Sequence, residues 1–167
     1  MSFATGENMP PIGEGLLNAM RLVLPKNGIV LELGSGEGST IELKNLGYTV
    51  YSIEHNGNYV GRWNDHEHTI YAPFDWDGFY GLEAVKDKLP SKYDILLVDG
   101  PDTENRIIRF YEHGIQYFNP NVPWFFDDWA HGDMKVGINA VAKKTERTLL
   151  KFEDKIKQYA VLLPEGM

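Results

Sequence analysis

Short apolar runs alternate along the chain with segments whose apolar residues recur every three or four positions. Residues 28–33 (GIVLEL), 48–54 (YTVYSIE), 68–72 (HTIYA), 93–99 (YDILLVD) and 122–128 (VPWFFDD) are apolar or β-branched and bounded by Gly, Pro or Asp, which predicts strands. The runs 28–33 and 93–99 are continuously apolar rather than alternating, as expected for strands covered on both faces of a parallel sheet. Ile107, Ile108, Tyr111, Ile115 and Phe118 predict a helix over 103–118 behind a cap at Asp102 or Thr103. Met134, Ile138 and Val141 predict another over 133–146 behind Asp133. Residues 39–46 read as a shorter helix closed by Gly47, and Ile12, Leu16, Leu17, Met20 and Leu24 as a leading helix over 12–24. The last stretch, LLKFEDKIKQYAVLLPE, holds two apolar runs with no helix between them, which fits a hairpin. The expectation is a seven-stranded, mostly parallel α/β sheet with helices on both faces and a C-terminal antiparallel hairpin, in one domain over 1–167.

Ligands of such sheets gather at the carboxyl ends of the strands. That rule selects Glu32–Gly38, Glu54, Ala72–Asp77, Asp99–Asp102 and Asp127–Asp128. In ELGSGEGST (32–40), Gly34, Gly36 and Gly38 let the backbone turn tightly and approach a ligand, with amides free at the start of a helix. The dinucleotide fingerprint would want glycine where Ser39 stands, and Glu32 would repel a pyrophosphate but attract a cationic amino group, so a nicotinamide oxidoreductase is disfavoured. Glu54, twenty residues after Gly34, is placed to accept hydrogen bonds from a ribose diol.

Composition narrows the partners. The chain carries no cysteine, hence no disulfide or thiolate ligand, and the default location is cytoplasmic. No run of about eighteen apolar residues reads as a membrane span, and the first residues lack a signal-peptide pattern. Net charge is −8 with no Lys/Arg cluster, which weighs against nucleic acid as the main partner and leaves a small molecule.

The stretch VLELGSGEGST followed by VYSIEHN resembles motif I and the next strand's acid in class I S-adenosylmethionine-dependent methyltransferases. The likeness runs through the Rossmann-like strand order to the closing hairpin. It implies that Glu32, Gly34, Ser35, Gly36 and Gly38 face the methionine part of S-adenosyl-L-methionine and that Glu54 holds the ribose. The segment Ala72–Asp75 would border adenine, with Asp75 and Asp77 competing for that contact.

Asp99, Asp127 and Asp128 would meet at one edge, where three carboxylates need protons or a cation to oppose their repulsion. Oxygen-only ligands suit Mg²⁺, or Mn²⁺ or Ca²⁺. This pattern resembles the small divalent-metal-dependent O-methyltransferases, which implies metal ligation by Asp99, Asp127 and Asp128 and transfer to a vicinal-hydroxyl acceptor such as a sugar or catechol. The catechol-type enzymes carry a basic lysine after the strand-four acid; DGPDTENR has none, so Asp102, His131 or the metal alone is left as the base. Arg106 would hold an acidic group of the acceptor or pair along its own helix, and Phe74, Trp76, Phe79 and Tyr80 would wall the acceptor site. So short a chain leaves a homo-oligomer room to complete the pocket. The missing lysine also keeps open a protein that binds the cofactor without methylating. Amino-methylation of DNA would need an aromatic Pro-Pro motif after strand four, and the sequence there is DGPD.

Overall fold

A computed structural model describes residues 12–75, 77–101, 106–130 and 132–166. Its seven-stranded sheet follows the order β3-β2-β1-β4-β5-β7-β6. The strands are β1 (Ile29–Leu33), β2 (Thr49–Glu54), β3 (Thr69–Tyr71), β4 (Ile95–Val98), β5 (Trp124–Phe126), β6 (Leu149–Glu153) and β7 (Gln158–Leu162). The first five run parallel, and β7 is antiparallel to both β5 and β6. This is the sheet that the hydrophobic pattern predicts, including the closing hairpin.

Alternation along the central strands divides the core in two. Leu31, Leu33, Leu96, Val98, Trp124 and Phe126 point to one face. Val30, Ile95, Leu97 and Phe125 point to the other, under Leu16 and Met20 of α1 (Glu14–Val23) and Leu43 of α2 (Glu42–Asn45). The first face is covered by α3 (Leu82–Val85), α4 (Arg106–Arg109) and α5 (Met134–Thr145). Helix α3 was not anticipated; its four residues are too few to show a period.

Two segments depart from their sequence-based form, one being 39–46, where a π turn at Glu37–Ile41 precedes α2. The segment expected as one helix over 103–118 is α4, then a wide π turn at Phe110–Gly114 and a 3₁₀ turn at Ile115–Tyr117. Phe110 packs against Phe118, Trp124 and Phe126, and Gly114 lies where a Cβ would meet the Phe110 ring at 2.9 Å. Packing of that ring overrides regular winding. The caps proposed at Asp102 and Thr103 lie outside the described residues. Asp133 does stand at the N-cap of α5, but its side chain makes no capping bond. Gly47, with φ +92°, closes the α2 segment as expected.

Helix α5 crosses α4 at Gly137, where a Cβ would lie 2.4 Å from both Cγ atoms of Ile107. Gly137→Ala should therefore lower stability by about 1–3 kcal/mol, overpacking outweighing the gain in helix propensity. Urea unfolding checks this; a stabilised variant would contradict the crossing.

Candidate active site

Register places the strand-end residues in one line. Leu33 is level with Ile53 and Val98, and Val98 with Phe126, so Glu54, Gly34, Asp99 and Asp127 follow one another across the carboxyl edge. Gly34 sits at φ +91°, a conformation that favours glycine. A Cβ there would meet the Gly100 Cα and the Tyr80 hydroxyl at 3.5 Å and the Asp99 carbonyl at 3.6 Å. Gly36 is extended and opens a π turn at Glu37–Ile41 rather than a regular helix.

Glu32 is fully buried beneath this loop. Its Oε1 accepts hydrogen bonds from the hydroxyls of Thr40 and of Ser52, the latter at 2.7 Å. Thr40 Oγ1 in turn accepts from the Gly36 amide at 3.0 Å, so Glu32 ties the turn to β2. Burial raises its pKa to about 7 against the pull of these hydroxyls. Its Oε2 has no partner among the described residues.

Glu54 is 3 % exposed and already engaged. Oε1 accepts from the Ser35 hydroxyl at 2.6 Å, and Oε2 from the Asn56 amide at 2.9 Å. Ala72 is buried, its amide on the Glu54 carbonyl. Asp75 closes its own turn by accepting the Asp77 amide at 3.0 Å, while Asp77 lies 3.0 Å from Nε2 of His113.

The aromatic loop differs from the expected acceptor wall. Phe79 and Tyr80 are core residues at 0 % and 2 % exposure, because the turn 74–80 folds back as a bridged hairpin, with Asp75 N donating to Phe79 O. Phe74 stacks on His55 at 3.9 Å between ring centres. Trp76 lies outside the described residues. The Tyr80 hydroxyl is buried without a partner among the described residues, beside the backbones of Gly34 and Gly100. Burial and the nearby Glu54 push its pKa well up, so the phenol stays neutral.

At β4 and β5, oxygens of Asp99, Asp127 and Asp128 lie within 4.8 Å of one another. Asp128 turns back into the cluster at φ +62°. Two side chains oppose the crowding. Lys157 Nζ lies 3.3 Å from Asp127 Oδ2 and 3.3 Å from Asp128 Oδ1. Arg106 Nη1 stands 3.9 Å from Asp128 Oδ2 while its Nε donates to the Pro101 carbonyl at 2.8 Å. Arg106 thus reaches toward the acids from the start of α4. Burial, then the neighbouring Asp127, holds the Asp99 carboxyl well above its usual range, which keeps a proton on that pair. Burial opposes the Lys157 charge, yet Asp127 and Asp128 hold its pKa above the usual value.

Asp102 and His131, the expected bases, lie outside the described residues. Lys157, which sequence reasoning overlooked, comes from the β6–β7 turn. Tertiary pairing places it: the second strand of the hairpin runs antiparallel to β5, with Phe126 opposite Ala160, and sets the turn beside Asp127 and Asp128. A cavity of about 460 Å³ opens there, bordered by Asp128, Ala130, Lys155, Ile156, Lys157 and Gln158.

No family model matches the chain, and no curated protein sequence matches it. Solved structures do resemble it. Precorrin 8w decarboxylase from Methanobacterium thermoautotrophicum is 17 % identical with TM-score 0.56, covering 97 % of this chain and 95 % of its own. An O-methyltransferase from Bacillus cereus, solved in complex with S-adenosylhomocysteine, is 14 % identical with TM-score 0.52, covering 92 % of each chain. The tRNA methyltransferase TrmK of Bacillus subtilis is 18 % identical with TM-score 0.54, covering 90 % of this chain and 64 % of its own. Sheet order, glycine turn and structural neighbours agree: the chain has the fold of the class I S-adenosylmethionine-dependent methyltransferases.

Proposed function

We propose that this protein is an S-adenosylmethionine-dependent methyltransferase acting on a hydroxyl of a small acceptor such as a sugar or catechol. The alignment of Glu54, Gly34, Asp99 and Asp127 along one sheet edge carries the reading. The residues suit the cofactor at its methionine end, where Gly34 leaves the backbone bare and the partnerless Oε2 of Glu32 favours a cationic amino group. At the ribose end, Glu54 is the receptor for the diol once the Ser35 hydroxyl yields its place. Bound there, the cofactor would supply an electrophilic methyl on a sulfonium.

The acceptor enters the cavity beside Asp128 and Lys157. An Asp128 carboxylate oxygen would take the proton of the acceptor hydroxyl, and the Lys157 ammonium would balance the negative charge developing on the acceptor oxygen. Asp99 and Asp127 hold this pair of charges in place. The sequence resemblance adds Mg²⁺, Mn²⁺ or Ca²⁺ on Asp99, Asp127 and Asp128, and the clustering of three carboxylates supports that addition. Lys157 opposes it, since its ammonium already lies on two of the three acids, and no step here requires a metal. No helix among the described residues is long and apolar enough to cross a membrane. A small-molecule partner, a cytoplasmic setting and a homo-oligomer that completes the acceptor site complete the proposal.

The second reading is a protein that binds the cofactor without methylating; the missing lysine after the strand-four acid and Tyr80, buried away from an acceptor, favour it. Calorimetric titration of S-adenosylhomocysteine, with magnesium and then with chelator, tests both. One-to-one binding supports the cofactor, and an acceptor screen among diols then separates the readings; no binding sinks both. Gly34→Val should weaken binding at least tenfold, since a branched side chain at φ +91° strains the turn and crowds Gly100. Unchanged affinity would remove the loop from the site.

A further inference from the structure

We propose that Lys157 is the built-in counter-cation of the Asp99–Asp127–Asp128 cluster, seated where a divalent ion would bind and excluding it. Its ammonium lies 3.3 Å from an oxygen of each of Asp127 and Asp128, and its side chain is only 19 % exposed. A divalent ion takes carboxylate oxygens at about 2.0–2.6 Å, so on this cluster it would sit within a few ångströms of the ammonium. The two cations repel at that distance, so the ammonium opposes the ion for as long as it stays on Asp127 and Asp128.

The lysine is held rather than draped over the cluster. The Asp154 carboxylate accepts the backbone amides of Ile156 and Lys157, each at 2.8 Å, and the Asp154 amide donates to the Lys157 carbonyl at 3.0 Å. Asp154 is itself fixed by the Gly15 amide at 3.0 Å and the Tyr159 hydroxyl at 2.7 Å. On the acid side, the Trp129 amide donates to the Gln158 carbonyl at 2.9 Å, joining the loop after β5 to the hairpin beside Lys157. The main chain on both sides is thus pinned at the separation that brings ammonium and carboxylates together.

The carboxylates of Asp127 and Asp128 face the Lys157 ammonium, and Arg106 Nη1 stands 3.9 Å from Asp128. A divalent ion would add its charge beside cations that these acids already face. The cavity beside Asp128 and Lys157 then presents an ammonium and a carboxylate to a ligand in place of an ion with open coordination positions. That consequence for the acceptor rests on the methyl-transfer reading; the exclusion of metal does not.

Mn²⁺ alone is the probe, titrated by calorimetry into the protein without cofactor. The parent and Lys157→Arg should show no saturable binding below about 1 mM. Lys157→Gln should gain one site per chain at least tenfold tighter, and Asp127→Asn added to it should remove that site. Thermal melts with and without Mn²⁺ give the same comparison if heats are small. One-to-one Mn²⁺ binding by the parent as tight as by Lys157→Gln would overturn the proposal, and so would a folded Lys157→Gln that gains none. Should no variant fold, the parent decides alone: saturable binding below 1 mM overturns, its absence supports. A separate titration with S-adenosylhomocysteine keeps failure of the cofactor reading distinct from failure of this one.

Discussion

Asp127→Ala is expected to lower methyl transfer at least about 100-fold while S-adenosylhomocysteine affinity stays within about threefold. The carboxylate holds the Lys157 ammonium at 3.3 Å and lies beside the Asp99 carboxyl, so its loss frees the lysine to swing toward Asp128 and upsets both charges that face the acceptor. It touches neither the glycine turn nor Glu54, so the cofactor contacts proposed there should survive. Losing one of two partners of a largely buried lysine should also cost about 1–3 kcal/mol of stability. Turnover of a diol found by screening, with calorimetry on the same preparation, checks the split. Parent-like turnover would remove the acid cluster from the chemistry, and a parallel collapse of cofactor affinity would make the effect one of folding.

Glu32→Gln should make the protein more stable above neutrality and less able to bind the cofactor. In the folded chain burial raises the Glu32 pKa to about 7 from the usual 4.5, so the native state binds the extra proton. The parent therefore loses stability as pH rises from about 4.5 and levels off above about 7. Glutamine keeps an acceptor for Thr40 and Ser52 but has no charge to bury. The two stability curves should coincide near pH 4.5 and separate by about 3 kcal/mol at pH 8, at about 1.4 kcal/mol per pKa unit. The raised Asp99 pKa adds a slope of the same sign to both proteins and cancels in the comparison. Urea unfolding between pH 5 and 8 checks this; parallel curves would contradict it. Loss of the carboxylate should weaken S-adenosylhomocysteine binding on the proposed reading, in which Glu32 faces the cofactor's cationic amino group.

Much of the architecture was legible in local pattern. Continuous apolar runs at Ile29–Leu33 and Ile95–Val98 marked strands buried on both faces, and the absence of a helical period after Leu149 marked the hairpin. The acids at the strand ends could be lined up because a parallel sheet brings carboxyl ends to one edge. These features depend on residues near one another in sequence, where side-chain period and glycine's conformational freedom act directly.

What the tertiary structure decided depends on distance and direction. Tyr80 read as a ligand-facing aromatic, but the turn at 74–80 folds it into the core, and only packing sets which way such a ring points. Glu54 read as free to receive a ribose; the Ser35 hydroxyl and the Asn56 amide already occupy its oxygens. The two crowded aspartates read as needing a partner, and the sequence by itself supplied the repulsion without naming what opposes it. Lys157 lies thirty residues from Asp127, and only the antiparallel pairing of β7 with β5 carries its ammonium to the acids. Charge makes such an encounter favourable, but strand register determines which charges meet.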